Sequence, residues 1–511
     1  MSQKQSESEE TDNVSALVNL GSYFDSVPTI FDEIVSDKPD IFLTSNISML
    51  SVPPISPSPN IFDQDFSFDD QINESPMNDI HRDAWIPSES THKILRSIAT
   101  SPHGGNQIDK ENLTMLGLAL ADEMSDPIKE AVTYFLGEEE NINRNVSYLS
   151  NVTQDERGLR SLIKDGYYRA AVNLTGRLLA IYGQGYGKIN HPSKHTPHSI
   201  QLWFTRLSLL TKLKQIEMLE TESAPFGNLD KPDMYFTFYP ELYGTRRGSM
   251  ASFAFRLLIA EIPMYCGKGK RALDNLYAML AIIKQILRNL ENDLSEDGGA
   301  VKFNKDEKHD AMQLWKARKS RTLVSIVNCA LCSKNYILAA EVLEQLFNCN
   351  EWKKKQADIL NSAIGRIYLL LGDVSAAEKK FTVVHPENSK SASIKEFVDK
   401  AFIAVAQNSF QEALDFFKSA SELDPSNIML LNNIAVCLLY TGKLKAAVEL
   451  LENMVTVKNP VKSLQEVVLL NMSTLYELHT THSIQSKLQL LRQLNRYNGD
   501  STNIQCLKLV M

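Results

Sequence analysis

The sequence predicts an all-α chain, an array of stacked helical hairpins behind a disordered acidic N-terminal tail. Three observations carry that expectation. Apolar residues recur at three- and four-residue spacing over most of the chain from about residue 108, with almost no strand-like alternation. Alanine-centred helical segments return at near-constant intervals toward the C-terminus. Residues 1–90 hold 17 Asp/Glu against 3 Lys/Arg, a net of −14 out of −9 for the whole chain, so residues 91–511 carry +5.

The tail comes first. Segments such as SVPPISPSPN (51–60) mix Ser, Pro and acids without a sustained period. Such a segment cannot bury enough apolar surface to offset its ordering entropy, so residues 1–90 are expected to be disordered. Two acid–aromatic clusters, YFDSVPTIFDEIV (23–35) and IFDQDFSFDD (61–70), suit short motifs that dock on a partner, and Ser56-Pro57 is a weak phosphate-acceptor signal. MSQKQSESEE has neither a basic start nor an apolar stretch, so a cytosolic chain is expected, with triplets such as Asn145–Ser147 unused for glycosylation. FAFRLLIAEIPMYC (253–266) is too short, and too charged at Arg256 and Glu261, to span a membrane.

Residues 91–155 read as a helical linker region, 156–290 as divergent helical repeats carrying an aromatic, Gly-rich insertion at 225–250, 291–310 as a polar linker, and 311–511 as the regular repeats. In the last region Ala339, Ala377, Ala413 and Ala447 occupy one role at near-constant intervals, and Ala171 sits in a similar frame. Gly365 and Ala435 are the small residues of the preceding helices, Tyr368 sits one turn beyond Gly365, and Phe381, Phe417, Ala420 and Leu451 fill the partner helices. Gly442 marks a turn that needs a left-handed residue. Asp424-Pro425 ends one helix, and Pro425 is expected to open the next. Helix–turn–helix units recurring every ~34 residues are the signature of tetratricopeptide (TPR) repeats. A lone helix pair leaves both broad faces wet, so the pairs must stack. The expected product is a right-handed α-solenoid whose surface binds other proteins.

Nothing in the pattern asks for chemistry. No catalytic residue, cofactor or metal site is expected. Cys329 and Cys332 form a CxxC, with no second pair or His at ligand spacing, and read as thiols packed in a helix. His191, His195 and His198 fall in a Pro-broken stretch that reads as a polar loop. YCGKGKR (265–271) lacks the phosphate-loop spacing and reads as a turn. QLWKARKSR (313–321) and EWKKK (351–355) read as solvated helix faces, and the weak overall charge gives no nucleic-acid footprint.

A second segment narrows the class. Trp203, the PFGNLDKPD turn (225–233), the YFTFYPELY run (235–243), RRGSM (246–250), LNNIAVCLLYTGKLKAAVELLENMV (431–455) and GDSTNIQCLKL (499–509) resemble the TPR-containing subunit 12 family of the trafficking protein particle (TRAPP) complex, over roughly residues 155–511. The resemblance implies a non-catalytic scaffold of the TRAPP III assembly, acting in ER-to-Golgi transport and autophagy. It implies contacts with other TRAPP subunits, especially the large subunits 8 and 11, and indirectly with a Rab GTPase activated by the shared core. It further implies peripheral association with the ER–Golgi intermediate compartment and Golgi through the complex, from the cytoplasm. The insertion aromatics Phe226, Tyr235, Phe236, Phe238, Tyr239 and Tyr243 are the expected exposed partner contacts. Other readings are a TPR adaptor or co-chaperone, a kinetochore-associated adaptor, or an enzyme with a TPR arm. The residues after the small position are Arg366, Phe402 and Val436, not the Asn that a carboxylate-gripping co-chaperone repeat uses.

Overall fold

The computed structural model describes residues 81–100, 110–120, 122–141, 144, 152–300, 305–349, 354–381, 390–458, 463–497 and 499–509. The expected tail motifs, Ser56-Pro57, the Asn145–Ser147 triplet and the EWKKK side chains lie outside the described residues.

The described chain is helical throughout, with isolated bridges in place of strands. In order the helices are α1 (Glu89–Thr100), α2 (Pro127–Leu136), α3 (Glu156–Lys164), α4 (Tyr168–Ile181), α5 (Pro197–Lys212), α6 (Ile216–Ser223), α7 (Phe253–Tyr265), α8 (Gly269–Glu291) and α9 (Lys305–Cys332). They continue with α10 (Tyr336–Cys349), α11 (Lys354–Leu371), α12 (Val374–Phe381), α13 (Lys390–Ala406), α14 (Phe410–Leu423), α15 (Ile428–Tyr440), α16 (Leu444–Asn453), α17 (Glu466–His479) and α18 (Ser483–Tyr497).

Among the described residues one turn is used seven times. Between α3 and α4, α5 and α6, and so on to α15 and α16, a short connection carries one left-handed residue, the middle of three in six cases and the first of two between α11 and α12. These are Gly166, Lys214, Gly267, Lys334, Gly372, Asn408 and Gly442, with φ between 56° and 81°. In each, the residue after it sends its N–H back to a carbonyl five positions earlier, as Lys443 to Leu438 (2.8 Å), Ser409 to Ala404 (2.8 Å) and Asn335 to Ala330 (2.8 Å). This closure satisfies a late carbonyl of the first helix and reverses the chain. Five positions past each left-handed residue stands a buried side chain: Ala171, Leu219, Ala272, Ala339, Ala377, Ala413 and Ala447, all fully inaccessible. The alanine spacing in the sequence is therefore the echo of a fixed turn geometry. At the alanine positions a larger group would push the two helices apart.

The other repeat positions fall as follows. Phe417, Ala420 and Leu451 are inaccessible, Ala435 and Phe381 are buried, and Tyr368 is half-buried with its hydroxyl on Glu344 (2.9 Å). Gly365 admits no side chain, since a Cβ would lie 2.5 Å from the Phe381 ring. Gly442 is exposed and left-handed. Pro425 departs from expectation. Helix α14 does end at Leu423, but α15 starts at Ile428 under the Asn427 cap, whose side chain accepts from Leu430 N–H. Pro425 lies exposed in the intervening turn, where Asp424 accepts from the Ser426 N–H and hydroxyl. The Asn cap, a stronger start signal than the proline, sets the boundary.

The described residues divide into two compact units, neither matching the segments read from the sequence. The first takes residues up to 123 and 172–342; its core is α5–α9, with α7 packed on α8 and α8 on α9. The second takes 124–171 and 343–511, so helices expected in a linker join the C-terminal repeats. There α2 packs on α18, and Arg144 joins Asp126 (2.6 Å) to the carbonyl of Gly499 (3.1 Å).

Three further readings meet exceptions in the first unit. Residues 81–90 are not part of a loose tail. Trp85 lies under the Arg256 guanidinium (4.4 Å) and 6.4 Å from Trp315. The polar linker holds a buried carboxylate, Glu296, at 2.5 Å from His81. In the same region, QLWKARKSR is only partly a solvated face: Trp315 and Arg318 are buried, with Arg318 over both the Trp315 and Phe253 rings.

Candidate interaction surface

The insertion at 225–250 is built by its prolines. Three 3-10 turns (Ala224–Phe226, Pro232–Met234, Phe236–Phe238) and a helical turn (Pro240–Tyr243) follow one another, three of the four having Pro in the first turn. Proline pre-sets the needed φ and lacks only a donor that would be orphaned anyway. Gly227 and Gly244 take positive φ and release the chain from two of these turns.

The insertion is held down by a polar core. Asp233 accepts from Thr114 N–H (2.5 Å) and Thr114 Oγ1 (2.9 Å), and lies 3.2 Å from His195 Nε2. His195 also reaches the Thr114 carbonyl (2.8 Å) and Gln184 (3.2 Å), while Gln184 accepts from Trp203 Nε1–H (2.7 Å). Of the three histidines, then, only His191 is fully exposed; His195 is inaccessible because it fills this network. Below it, Arg206 grips Glu222 through two bonds (2.6 and 2.9 Å), and Glu222 accepts from Ala119 N–H (3.1 Å). Both members of this buried pair are hydrogen-bonded, as burial demands.

Three of the six expected contact aromatics are core. Phe226, Tyr235 and Phe236 are buried, because Phe226 meets Trp203 and Phe255 edge-on and Phe236 lies under the Arg246 guanidinium (4.2 Å). Burial also pushes the Tyr235 hydroxyl far above its ordinary range. Phe238, Tyr239 and Tyr243 are half-buried, in an edge-to-face run with centroid spacings of 4.9 and 6.5 Å. Tyr239 accepts from His195 N–H (3.3 Å), and burial raises its hydroxyl to about 12. Leu242, more than half exposed, completes this rim.

The second unit carries a different surface. Tyr440 stacks on Phe410 of the preceding hairpin (4.3 Å, 8°) with more than half of Tyr440 in solvent. Along the first helices of successive hairpins runs a polar ladder that spacing does not reveal. Arg366 and Ser362 of α11 hold Asp399 of α13 (2.9 Å each), and Asn471 of α17 donates to Asn432 of α15 (2.9 Å). Arg366 is thus buried and committed to Asp399, which removes it as a free cation for a peptide carboxylate.

The thiols are packed: burial raises Cys329 to about 11, and Cys332 and Cys437 to about 12. No cluster of three or more His, Cys, Asp or Glu suited to a metal occurs among the described residues.

Repeated helical hairpins with one turn geometry and one small packing residue define a TPR-like helical-repeat protein. Comparison with known proteins takes the assignment further. No family model matches the chain. It is 43% identical over 435 residues to trafficking protein particle complex subunit 12 of Mus musculus, covering 84% of this chain and 54% of that protein. It is 41% identical over 469 residues to the Homo sapiens protein of the same name, covering 90% and 63%. Over the matched stretch the chain is similar to these trafficking protein particle complex subunit 12 proteins, and it spans between half and two thirds of their length. A structure of the P58(IPK) TPR domain aligns at 12% identity and a TM-score of 0.17, over 69% of this chain and 95% of that one; so low a score carries no argument.

Proposed function

We propose that this chain is a non-catalytic scaffold of the TRAPP complex, acting through protein contacts on its helical-repeat surfaces. The observation that carries the reading is the similarity to two subunit 12 proteins over 84% and 90% of the chain, in a chain made of helical hairpins. The finer reading places it in the TRAPP III vesicle-tethering and Rab-activating assembly, in ER-to-Golgi transport and autophagy. Its direct partners are the large subunits 8 and 11, and it meets a Rab GTPase only through the shared core. It sits at the ER–Golgi intermediate compartment and Golgi from the cytoplasmic side, held by the complex; no described helix is long and apolar enough to cross a membrane. The half-exposed rim of Phe238, Tyr239, Leu242 and Tyr243 is the contact surface we favour in the first unit, because aromatic groups with one wet face suit interfaces.

Affinity purification of the tagged chain, with its co-purifying proteins identified, tests the reading. Other TRAPP subunits should be recovered, and Leu242→Asp with Tyr243→Ala should reduce their yield while the helical circular dichroism stays unchanged. A preparation free of vesicle-tethering components would overturn the assignment.

A further inference from the structure

The sequence assigns residues 81–88 to the tail, yet they are fastened to the first unit at five points, one of them the Ser88 N–H on the Asp230 carboxylate (3.0 Å). At Asp83, the Ser249 N–H donates to the carbonyl (2.9 Å) and Arg246 donates to the carboxylate (2.6 Å). Arg318 donates to the Arg82 carbonyl (2.8 Å). Trp85 fills a seat made by Arg256 and Trp315. The seat is shaped for this backbone, since a Cβ on Gly248 would lie 2.7 Å from the Asp83 carbonyl oxygen. At the outer end His81 Nδ1 meets Glu296 Oε1 at 2.5 Å, with side-chain exposures of 14% and 6%.

We propose that residues 81–88 form a releasable strap, seated by Trp85 and latched by His81 on Glu296, so that rising pH loosens the anchorage of the acidic segment before it. The other fastenings use arginines, backbone groups and the Trp85 ring, which do not titrate near neutrality. The latch alone does. The carboxylates acting on His81 are Glu296 from the loop after α8 and Glu307 and Asp310 from α9; the cations nearby are Arg82, next in the chain, and Arg318, on the Arg82 carbonyl. The hydrogen bond to Glu296 is the largest influence and raises the imidazole above its ordinary value; burial opposes it, and the three carboxylates add to it. A raised folded value means that the latch is complete below the ordinary histidine range. It is lost as pH climbs through the folded value. Above that, the ring is neutral and no longer pairs its charge with Glu296, which weakens the hold.

Hydrogen–deuterium exchange of the full chain reads the strap directly. Protection of the Ser249 amide and of the amides of residues 83–86, corrected for intrinsic exchange, should fall several-fold between pH 6 and pH 8. His81→Gln should flatten that dependence. Gly248→Ala and Trp85→Ala should each lower protection at both pH values, the first by pushing the backbone off and the second by emptying the seat. Equal protection at pH 6 and pH 8 in the native chain overturns the latch, as does a native profile in His81→Gln. Undiminished protection in both seat variants overturns the strap.

Discussion

Nε2 of His195 stands 2.8 Å from the carbonyl oxygen of Thr114 and 3.2 Å from Oδ2 of Asp233, in a site without solvent access. A carbonyl only accepts, so Nε2 carries the hydrogen. The other face of the ring agrees. The Trp203 indole only donates, which turns the Gln184 oxygen toward it and the Gln184 amide hydrogens toward His195 Nδ1. One donor-only group thus fixes an amide orientation, which fixes a tautomer, which ties the insertion to α5 and to residues 110–120.

Asp233→Ala tests that chain of bonds. It leaves the Thr114 N–H and hydroxyl buried without their acceptor, and such groups cost about 1–3 kcal/mol each. The urea midpoint of the first unit, followed by tryptophan fluorescence, should fall accordingly, by about 2–6 kcal/mol in stability. An unchanged midpoint would mean that water already serves these groups.

Gly365→Ala should be costly although it adds one carbon, because that carbon would lie 2.5 Å from the Phe381 ring. Overpacking of this kind costs about 1–3 kcal/mol. Phe381→Leu should lose stability alone but recover part of the loss when combined with Gly365→Ala, since the two changes share one space. Strict additivity in thermal melts of the four proteins would show that the contact is relieved elsewhere. Ala447→Trp makes the same point more coarsely and should melt the C-terminal hairpins.

The repeats were legible because alanine is imposed by a close approach, and near-constant spacing from Ala339 to Ala447 makes the imposition periodic. The same geometry at Leu219 and Ala272 is harder to see. The intervals there are irregular, and the left-handed positions Lys214, Lys334 and Asn408 give no glycine to mark the turn. The site was less legible than the fold. Tyr235 and Phe236 look alike to Phe238 and Tyr243 in sequence, and only tertiary packing decides which are wet. The strap is hidden for the same reason: the partners of Trp85 and His81 lie far along the chain, at Arg256, Trp315 and Glu296. Local composition around residue 85 is that of a tail, and local composition was all that the pattern offered.

The thiols give a chemical check. A thiolate, not a thiol, attacks a disulfide reagent, and burial holds Cys329 near 11 and Cys332 and Cys437 near 12. At pH 8 the native chain should release aromatic thiolate from these positions at least about a hundred-fold more slowly than after denaturation. Half-buried Cys266, raised by burial and by Glu220, should react before Cys329, Cys332 and Cys437. Raising the pH toward 10 should speed Cys266 well before the α9 pair. Fast labelling of Cys329 and Cys332 at pH 8, read by mass spectrometry, would instead point to a reactive CxxC.

Asp500 shows how the C-terminal segment serves the second unit. Its two carboxylate oxygens accept from Arg169 N–H (3.0 Å) and Ala170 N–H (2.8 Å), capping the start of α4 from a distant part of the sequence. Gly499 makes this possible, since a Cβ there would lie 2.2 Å from the Gly166 carbonyl oxygen, inside the α3–α4 turn. The capping bonds are opposed by a cost: burial, the largest influence, raises the Asp500 carboxyl above its ordinary range, against the pull of those two amides. Asp500→Ala removes both acceptors and should cost about 1–2 kcal/mol, the usual loss for a cap. Gly499→Val should cost more, because it forces the segment away from the turn and strips Arg144 of the Gly499 carbonyl as well. Exchange protection separates the two effects. Asp500→Ala should expose the amides of residues 168–171 alone, whereas Gly499→Val should also release α2, which rests on α18. If neither variant changes protection in 168–171, the cap is ornamental and α4 is held by its packing.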